Sequence, residues 1–191
     1  MHLAKKGLRV LGIAESFRGR TASTLAGVVM RKDLRIDGVA VSRLSVGGMD
    51  ATDAVLRILR SLRRRDINAV LVSGAVIAWY NILDPGRIRE ESGLPVIVVT
   101  YEDSEGLEED LMHHFPEDAD RLAAYRRLGD RSHVDLPTGY RAFLRAWGMD
   151  DADAARLCSD FTIDGRVPEP CRVARLVARA AMQEYGPGPD G

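Results

Sequence analysis

The first third of the chain carries three apolar runs whose polar interruptions predict β-strands at residues 8–14, 23–31 and 34–46. Lys32 and Asp33 leave room only for a tight turn between the second and third runs, so these two strands are expected to pair antiparallel. Because the apolar alternation continues beyond Asp37-Gly38, a β-bulge there is favoured over a second turn. The chain is therefore predicted to begin with an antiparallel meander.

The hydrophobic pattern changes to helical spacing over residues 49–66, where Val55, Ile58, Leu59 and Leu62 recur on one face. Arginines fill most of the other faces and crowd the carboxyl end, where a helix dipole favours cations. Two interpretations of these arginines stay open. They form either a solvated helix face, which is the commoner case, or a patch that contacts phosphates.

Two continuous apolar runs follow, within residues 68–82 and 94–103, and each is typical of a strand buried on both faces. Because helical segments separate them, these strands are expected to be parallel. The rest of the chain is predicted to be helical at residues 105–129 with a break near Pro116, and then at 140–148, 150–161 and 168–185. The fold class is therefore α/β, with a mixed sheet flanked by helices.

The length of 191 residues favours one domain over residues 1–191, with a core at 7–182 and a flexible tail at 186–191. A net charge of −1 excludes the overall basic excess that would by itself indicate nucleic-acid binding. Cys158 and Cys171 lack metal-site spacing and are expected to be reduced core thiols. The amino-terminal apolar run is too short and interrupted for a signal peptide or membrane span, so a cytoplasmic location is expected.

The chain contains no recognisable nucleophile motif and no glycine-rich phosphate loop. The adjacent histidines at 113 and 114 point about 100° apart on a helix, so a surface pair is favoured over a metal site. Carboxylates at strand ends are better candidates, since two or three converging acids can hold Mg²⁺ for phosphodiester cleavage. Glu15, Asp50 and Asp84 occupy such positions. Strand ends and helix starts also collect acids for purely structural reasons.

Several segments in succession carry a family resemblance: "RVLGIAES", "GVVMRKDLRIDGVAV", "GGMDAT", "SGAVIAWYNILD", "LPVIVV" and "PEPCRVARLVA". In this order, over roughly residues 7 to 182, the chain resembles the archaeal endonuclease dU family, which is related to endonuclease V. The resemblance implies a ribonuclease H-like fold and a Mg²⁺- or Mn²⁺-dependent nuclease that acts in DNA repair on deaminated bases, deoxyuridine in particular. If the protein acts on a single base, Asn81 or Tyr80 is expected to contact or stack on that base, as enzymes that act on single bases commonly require.

The sequence departs from the family pattern at the positions expected to carry chemistry. Ala14 stands where an aspartate usually follows "GI", and Ser73 stands where the buried strand usually ends in aspartate. Arg175 replaces a common histidine. Because side chains alternate along a strand, Glu15 faces the opposite side of the sheet from residue 14 unless a bulge re-aims it.

Three hypotheses follow from these departures. In the first, Glu15 and Asp50, with Asp84, rebuild a metal site and the protein cleaves DNA. In the second, the protein binds nucleic acid, single-stranded or deaminated DNA above all, or a protein partner, without cleavage, and Arg172, Arg175 and the arginine-rich helix contact phosphates. In the third, it is an interaction domain with no nucleic-acid role. The oligomeric state does not follow from the sequence.

Overall fold

The computed structural model of the protein describes residues 7–17, 19, 21–104 and 106–185, so the predicted tail at 186–191 lies outside the described residues. The strands are β1 (Arg9–Phe17), β2 (Ala22–Arg31), β3 (Ile36–Ser45), β4 (Ala69–Ser73), β5 (Val76–Ile77), β6 (Asn81–Ile82), β7 (Val96–Thr100), β8 (Ser132–Asp135) and β9 (Arg141–Trp147). The helices are α1 (Ala51–Leu62), α2 (Pro85–Ser92), α3 (Glu108–His114), α4 (Ala119–Arg127), α5 (Asp151–Asp160) and α6 (Glu169–Tyr185).

Seven of the described strands form one mixed sheet in the order β3-β2-β1-β4-β7-β9-β8. The pairs β1–β4 and β4–β7 are parallel, and the other neighbours are antiparallel. The predicted mixed sheet, with a meander first and parallel strands after it, is therefore confirmed. The bulge near Asp37 is also confirmed, because Val29 pairs with Gly38 while Met30 pairs with Ile36, which leaves Asp37 as the extra residue.

One predicted helix, at residues 140–148, is wrong: the segment is strand β9, paired with both β7 and β8. Its alternation supports a strand, since Ala142 and Leu144 are buried while Arg141 is exposed. The physical reason is the open edge of β7, which supplies a hydrogen-bonding partner from a distant part of the sequence. The predicted break near Pro116 is confirmed by the separation of α3 from α4.

Three of the arginines of and after α1 are held by neighbouring groups. Arg60 pairs with Glu91 at 2.9 Å, and Arg64 pairs with Asp66 at 2.7 Å. Arg57 donates to the backbone carbonyl of Arg43. These contacts favour the interpretation of a solvated, ion-paired helix face over that of a phosphate-contacting patch.

The sheet is covered on both faces by apolar layers. One layer packs under α1 to α4, and the other packs under α5 and α6. Helix α6 approaches β1 so closely that a Cβ atom at Gly12 would lie 2.2 Å from the carbonyl carbon of Pro170. Glycine is therefore required at this crossing, because any side chain would collide with the backbone of the helix.

Cys158 and Cys171 are both free and buried in the α5/α6 layer, which confirms the prediction of core thiols. Burial raises the pKa of Cys171 to about 12 and also raises the pKa of Cys158. Among the described residues, no helix combines the length and the apolarity that crossing a bilayer requires. The cytoplasmic location stays a prediction.

Candidate nucleic-acid interface

Strands β1, β4 and β7 are adjacent and parallel, and three side chains at their carboxyl ends face the α5/α6 side of the sheet. Ala14 of β1 packs against Ala174 of α6, Ser73 ends β4, and Tyr101 follows β7. Adjacent parallel strands place their carboxyl ends at one sheet edge, which is where open α/β sheets bind ligands. The two positions that the resemblance associates with catalytic acids, Ala14 and Ser73, thus lie on the same side of the sheet, but they carry a methyl group and a hydroxyl.

Glu15 faces the other side of the sheet. The pairing of β1 with β2 runs without a register shift from Arg9 to Phe17, so no bulge in this ladder re-aims the carboxylate. Glu15 accepts a hydrogen bond from Ser23 Oγ at 2.5 Å and another from the backbone N–H of Ala78 at 3.2 Å. The carboxylate therefore supports the segment after β5 instead of lying at the Ala14 position.

Asp50 organises the loop between β3 and α1. Its two carboxylate oxygens accept from the backbone N–H of Ser45, both at 3.1 Å, while Ser45 Oγ donates to one of them and Asn81 Nδ2 donates to the other at 2.7 Å. The fully buried Asn81 also donates to the Ser45 carbonyl and accepts from the N–H of Ala51. Asn81 therefore joins two loops and is not free to contact a base.

Asp84 lies at the start of α2 and has a separate structural role. Its carboxylate accepts from the backbone N–H of Arg87 at 3.0 Å, which makes it the helix N-cap, and its own N–H donates to Thr52 Oγ1. No group of three or more His, Cys, Asp or Glu side chains in the described part of the chain is placed to hold a metal ion. Glu15, Asp50 and Asp84 therefore do not assemble the three-acid site.

The donor set at Asp50 does not fit a divalent cation. A carboxylate offers about four lone-pair positions, and three donors already engage both oxygens of Asp50: the Ser45 N–H, which is shared between them, Ser45 Oγ and Asn81 Nδ2. A cation bound there would have to displace these donors and release the loop that they hold. On the α6 side, Ser73 contributes no negative charge to a cation and accepts from Arg175.

The turn between β5 and β6 has an unusual backbone. Ala78, Trp79 and Tyr80 have φ angles of 43°, 61° and 58°, so three successive residues that are not glycine adopt the left-handed conformation. This conformation costs about 1–2 kcal/mol per residue, and strain of this kind persists where surrounding contacts determine it. The turn places Trp79 at the surface, and the residue is 50% exposed.

Aromatic rings from α3 pack against this turn. The ring centroid of His114 lies 5.0 Å from that of Trp79 and 5.5 Å from that of Tyr80, and Phe115 lies 5.9 Å from Tyr80. His113 and His114 are both exposed, as expected of a surface pair. Burial, with a smaller contribution from Asp110, raises the pKa of Tyr80. Trp79, Tyr80, His114 and Phe115 are called the aromatic cluster below.

Arg121 of α4 fixes the turn from below. The residue is 5% exposed, its guanidinium lies 3.9 Å above the ring centroid of Phe115, and its Nε donates to Asp118 at 2.9 Å. Its Nη1 and Nη2 donate to three backbone carbonyls, those of Gly47, Gly48 and Tyr80. Sequence reasoning missed Arg121 and also missed Trp79, although the run Trp79-Tyr80 was a visible signal for an aromatic surface.

The two arginines predicted on α6 differ in their contacts. Arg172 binds both carboxylate oxygens of Glu169, at 2.8 and 2.6 Å, and this pairing raises its pKa. Arg175 Nη2 donates to the neutral oxygen of Ser73 at 2.9 Å. Of these two arginines, Arg175 is therefore the better phosphate ligand.

An antiparallel meander joined through its first strand to two parallel strands, with helices on both faces, defines a ribonuclease H-like protein. Solved structures support this class. Endonuclease V from Ciona intestinalis, in complex with a 24mer DNA containing an inosine followed by a ribo-adenosine, has a TM-score of 0.65 at 14% identity, over 94% of this chain and 87% of that chain. At that identity the likeness shows the fold alone.

The chain belongs to the endonuclease dU family, whose model matches residues 6–182. A UPF0215 protein of Pyrobaculum calidifontis is 40% identical over 180 residues, which cover 92% of this chain and 97% of that protein. The crystal structure of a protein of unknown function from Archaeoglobus fulgidus has a TM-score of 0.78 at 26% identity, over 91% of this chain and 97% of that one. The relationship to this family and to endonuclease V that the sequence motifs predicted is confirmed.

Proposed function

We propose that this protein binds nucleic acid at a single altered base, with single-stranded DNA that carries a deaminated base such as deoxyuridine as the preferred ligand. The observation that carries the proposal is the left-handed turn, which is bound to Glu15 of β1 through the N–H of Ala78 and holds the half-exposed ring of Trp79 beside Gly47 of the Asp50 loop. Family membership and the endonuclease V-like fold support a nuclease, and a nuclease that acts on one base must first unstack and hold it.

The aromatic cluster supplies the kind of surface that such a base requires. Bases stack on aromatic side chains in single-stranded complexes, and Trp79 offers a half-exposed indole whose position is set by its backbone. Tyr80 and His114 flank that ring. Because the amide of Asn81 is already hydrogen bonded on both sides, we assign base stacking to Trp79 and Tyr80 and a positioning role to Asn81.

We expect Trp79→Ala to weaken binding of a single-stranded oligonucleotide with one deoxyuridine by about 1–3 kcal/mol, because one stacked base loses its platform. The measurement is fluorescence anisotropy of a labelled oligonucleotide. Tyr140→Ala removes another exposed aromatic ring, on the β8–β9 turn, and serves as the matched control. Equal affinities of the two variants would contradict the assignment of Trp79.

Metal-dependent cleavage at the deaminated base is the second candidate function. It is favoured by membership of the family and by Glu15, whose two hydrogen bonds leave acceptor positions open. Because Asp50 uses its acceptor positions within the protein, we expect binding without cleavage in Mg²⁺ or Mn²⁺. The assay incubates the oligonucleotide with wild-type protein and Asp50→Asn, and separates the products by denaturing electrophoresis. Cleavage that Asp50→Asn abolishes would overturn this expectation.

A further inference from the structure

We propose that Arg175, Ser73 and Tyr101 form a site for one phosphodiester group of the bound strand, at the carboxyl ends of β4 and β7. These residues come from three separate elements and meet where the parallel strands end. The inference rests on the proposed function, because it states how the strand that presents its base to Trp79 is held by its backbone. It assigns the charge of the site to an arginine and not to a divalent cation.

The geometry at Arg175 suits a phosphate. A guanidinium has five N–H donors in a planar fork that matches two phosphate oxygens. The contact of Arg175 with Ser73 Oγ engages one nitrogen and a neutral oxygen, and therefore leaves the positive charge without compensation from Ser73. Arg172, one turn earlier on α6, is instead neutralised by Glu169. The helix thus presents Arg175, with its side chain exposed, toward the strand ends.

Tyr101 provides the second observation. Its hydroxyl oxygen is buried and has no hydrogen-bond partner within the described residues. Buried polar groups nearly always have a partner, so an unpaired hydroxyl calls for an explanation such as a ligand. Val99 of β7 pairs in register with Ser73, and Tyr101 follows two residues later and packs in the α5/α6 layer, so its ring lies on the Ser73 side of the sheet. Burial raises the pKa of Tyr101. The protonated hydroxyl can donate to an anion.

The phosphate site and the turn that carries Trp79 lie on opposite sides of the sheet but at the same end of it, so a single bound strand can contact both. Ala14 and Ser73 lie on the α6 side, whereas Glu15 lies on the other side and supports the turn that carries Trp79. The base and the backbone of a nucleotide would then contact different groups at the same end of the sheet. Phosphate contacts position a strand and add affinity without reading its sequence.

The test measures the salt dependence of binding for a single-stranded oligonucleotide with one deoxyuridine. Loss of one phosphate contact lowers the slope of log K against log salt concentration by about 0.7 for single strands. We expect Arg175→Gln to show this decrease, and Arg175→Lys to retain most of the slope because it keeps the charge. Arg179→Gln, which removes an exposed arginine one turn further along α6, is the matched control and should keep the wild-type slope.

Tyr101→Phe separates an effect on binding from an effect on folding, since the hydroxyl that it removes has no hydrogen-bond partner in the part of the chain that the structure describes. We expect Tyr101→Phe to bind the oligonucleotide more weakly while its urea midpoint stays unchanged. We also expect EDTA to leave the affinity of the wild-type protein unchanged. The phosphate site would be overturned if Arg175→Gln had the same salt slope as Arg179→Gln. It would also be overturned if EDTA abolished the affinity of the wild-type protein for the oligonucleotide. Neither result would contradict base binding at Trp79. If the wild-type protein binds no oligonucleotide but inorganic phosphate raises its thermal midpoint through Arg175, the proposed function and the phosphodiester assignment both fail.

Discussion

Gly12→Ala is expected to lower the free energy of unfolding by about 3 kcal/mol, because overpacking at a rigid contact is among the costlier core substitutions. The added methyl carbon would lie 2.2 Å from the carbonyl carbon and 2.5 Å from the carbonyl oxygen of Pro170. These are backbone atoms at the start of α6, so a side-chain rotation cannot relieve the collision. The helix would have to move away from β1, and urea denaturation measures the cost.

The matched control for this substitution is Gly7→Ala. Among the described residues, a Cβ at Gly7 would meet only the end of the Arg9 side chain, at 4.0 Å, which is ordinary contact. Its urea midpoint should therefore stay close to that of the wild type. If Gly12→Ala were as stable as Gly7→Ala, the close packing of α6 on β1 would not be present in solution. Because Arg175 lies on the same helix, displacement of α6 should also weaken oligonucleotide binding.

Arg121→Met is expected to destabilise the protein by about 3 kcal/mol, because the substitution removes the partner of buried polar groups while it keeps most of the side-chain volume. Three backbone carbonyls and the Asp118 carboxylate would lose donors. Since one of these carbonyls belongs to Tyr80, the left-handed turn should also lose its order. The measurements are urea denaturation and the tryptophan emission maximum, which should move toward that of solvated indole.

Arg126→Met on the same helix separates these effects from the loss of any arginine on α4. Arg126 is exposed and pairs with Glu108 at the surface, and such pairs contribute little to stability. Its urea midpoint and emission maximum should therefore remain near those of the wild type. An emission maximum for Arg121→Met equal to that of Arg126→Met would show that Arg121 does not hold the turn.

Local patterns along the sequence predicted the meander, the bulge at Asp37 and the helices that pack on the sheet, because each depends on residues close together in the chain. Strand β9 was missed for the opposite reason. Its pairing with β7 joins residues more than forty positions apart, and its Ala-, Leu- and Arg-rich composition is also typical of a helix. The backbone partner across the sheet decided the outcome.

The same distinction applies to the candidate site. Strict alternation along β1 predicted which side of the sheet Glu15 would face, and the unshifted register confirmed it. The role of Arg121 could not be predicted, because an arginine in a polar helix reads as a surface residue, and its carbonyl partners at Gly47 and Tyr80 lie far away in sequence. Asn81 was predicted to contact a base, yet its long-range contacts place it in the interior.

The left-handed conformation of residues 78–80 also affects the entropy of binding. A flexible loop loses conformational freedom when it closes on a ligand, and that loss opposes binding. Here the three backbone conformations are already set when the chain folds, by Glu15 from one side and Arg121 from the other. Binding of a base to the aromatic cluster therefore requires little further ordering of the protein, and a smaller entropic penalty than an unanchored loop of the same length would incur.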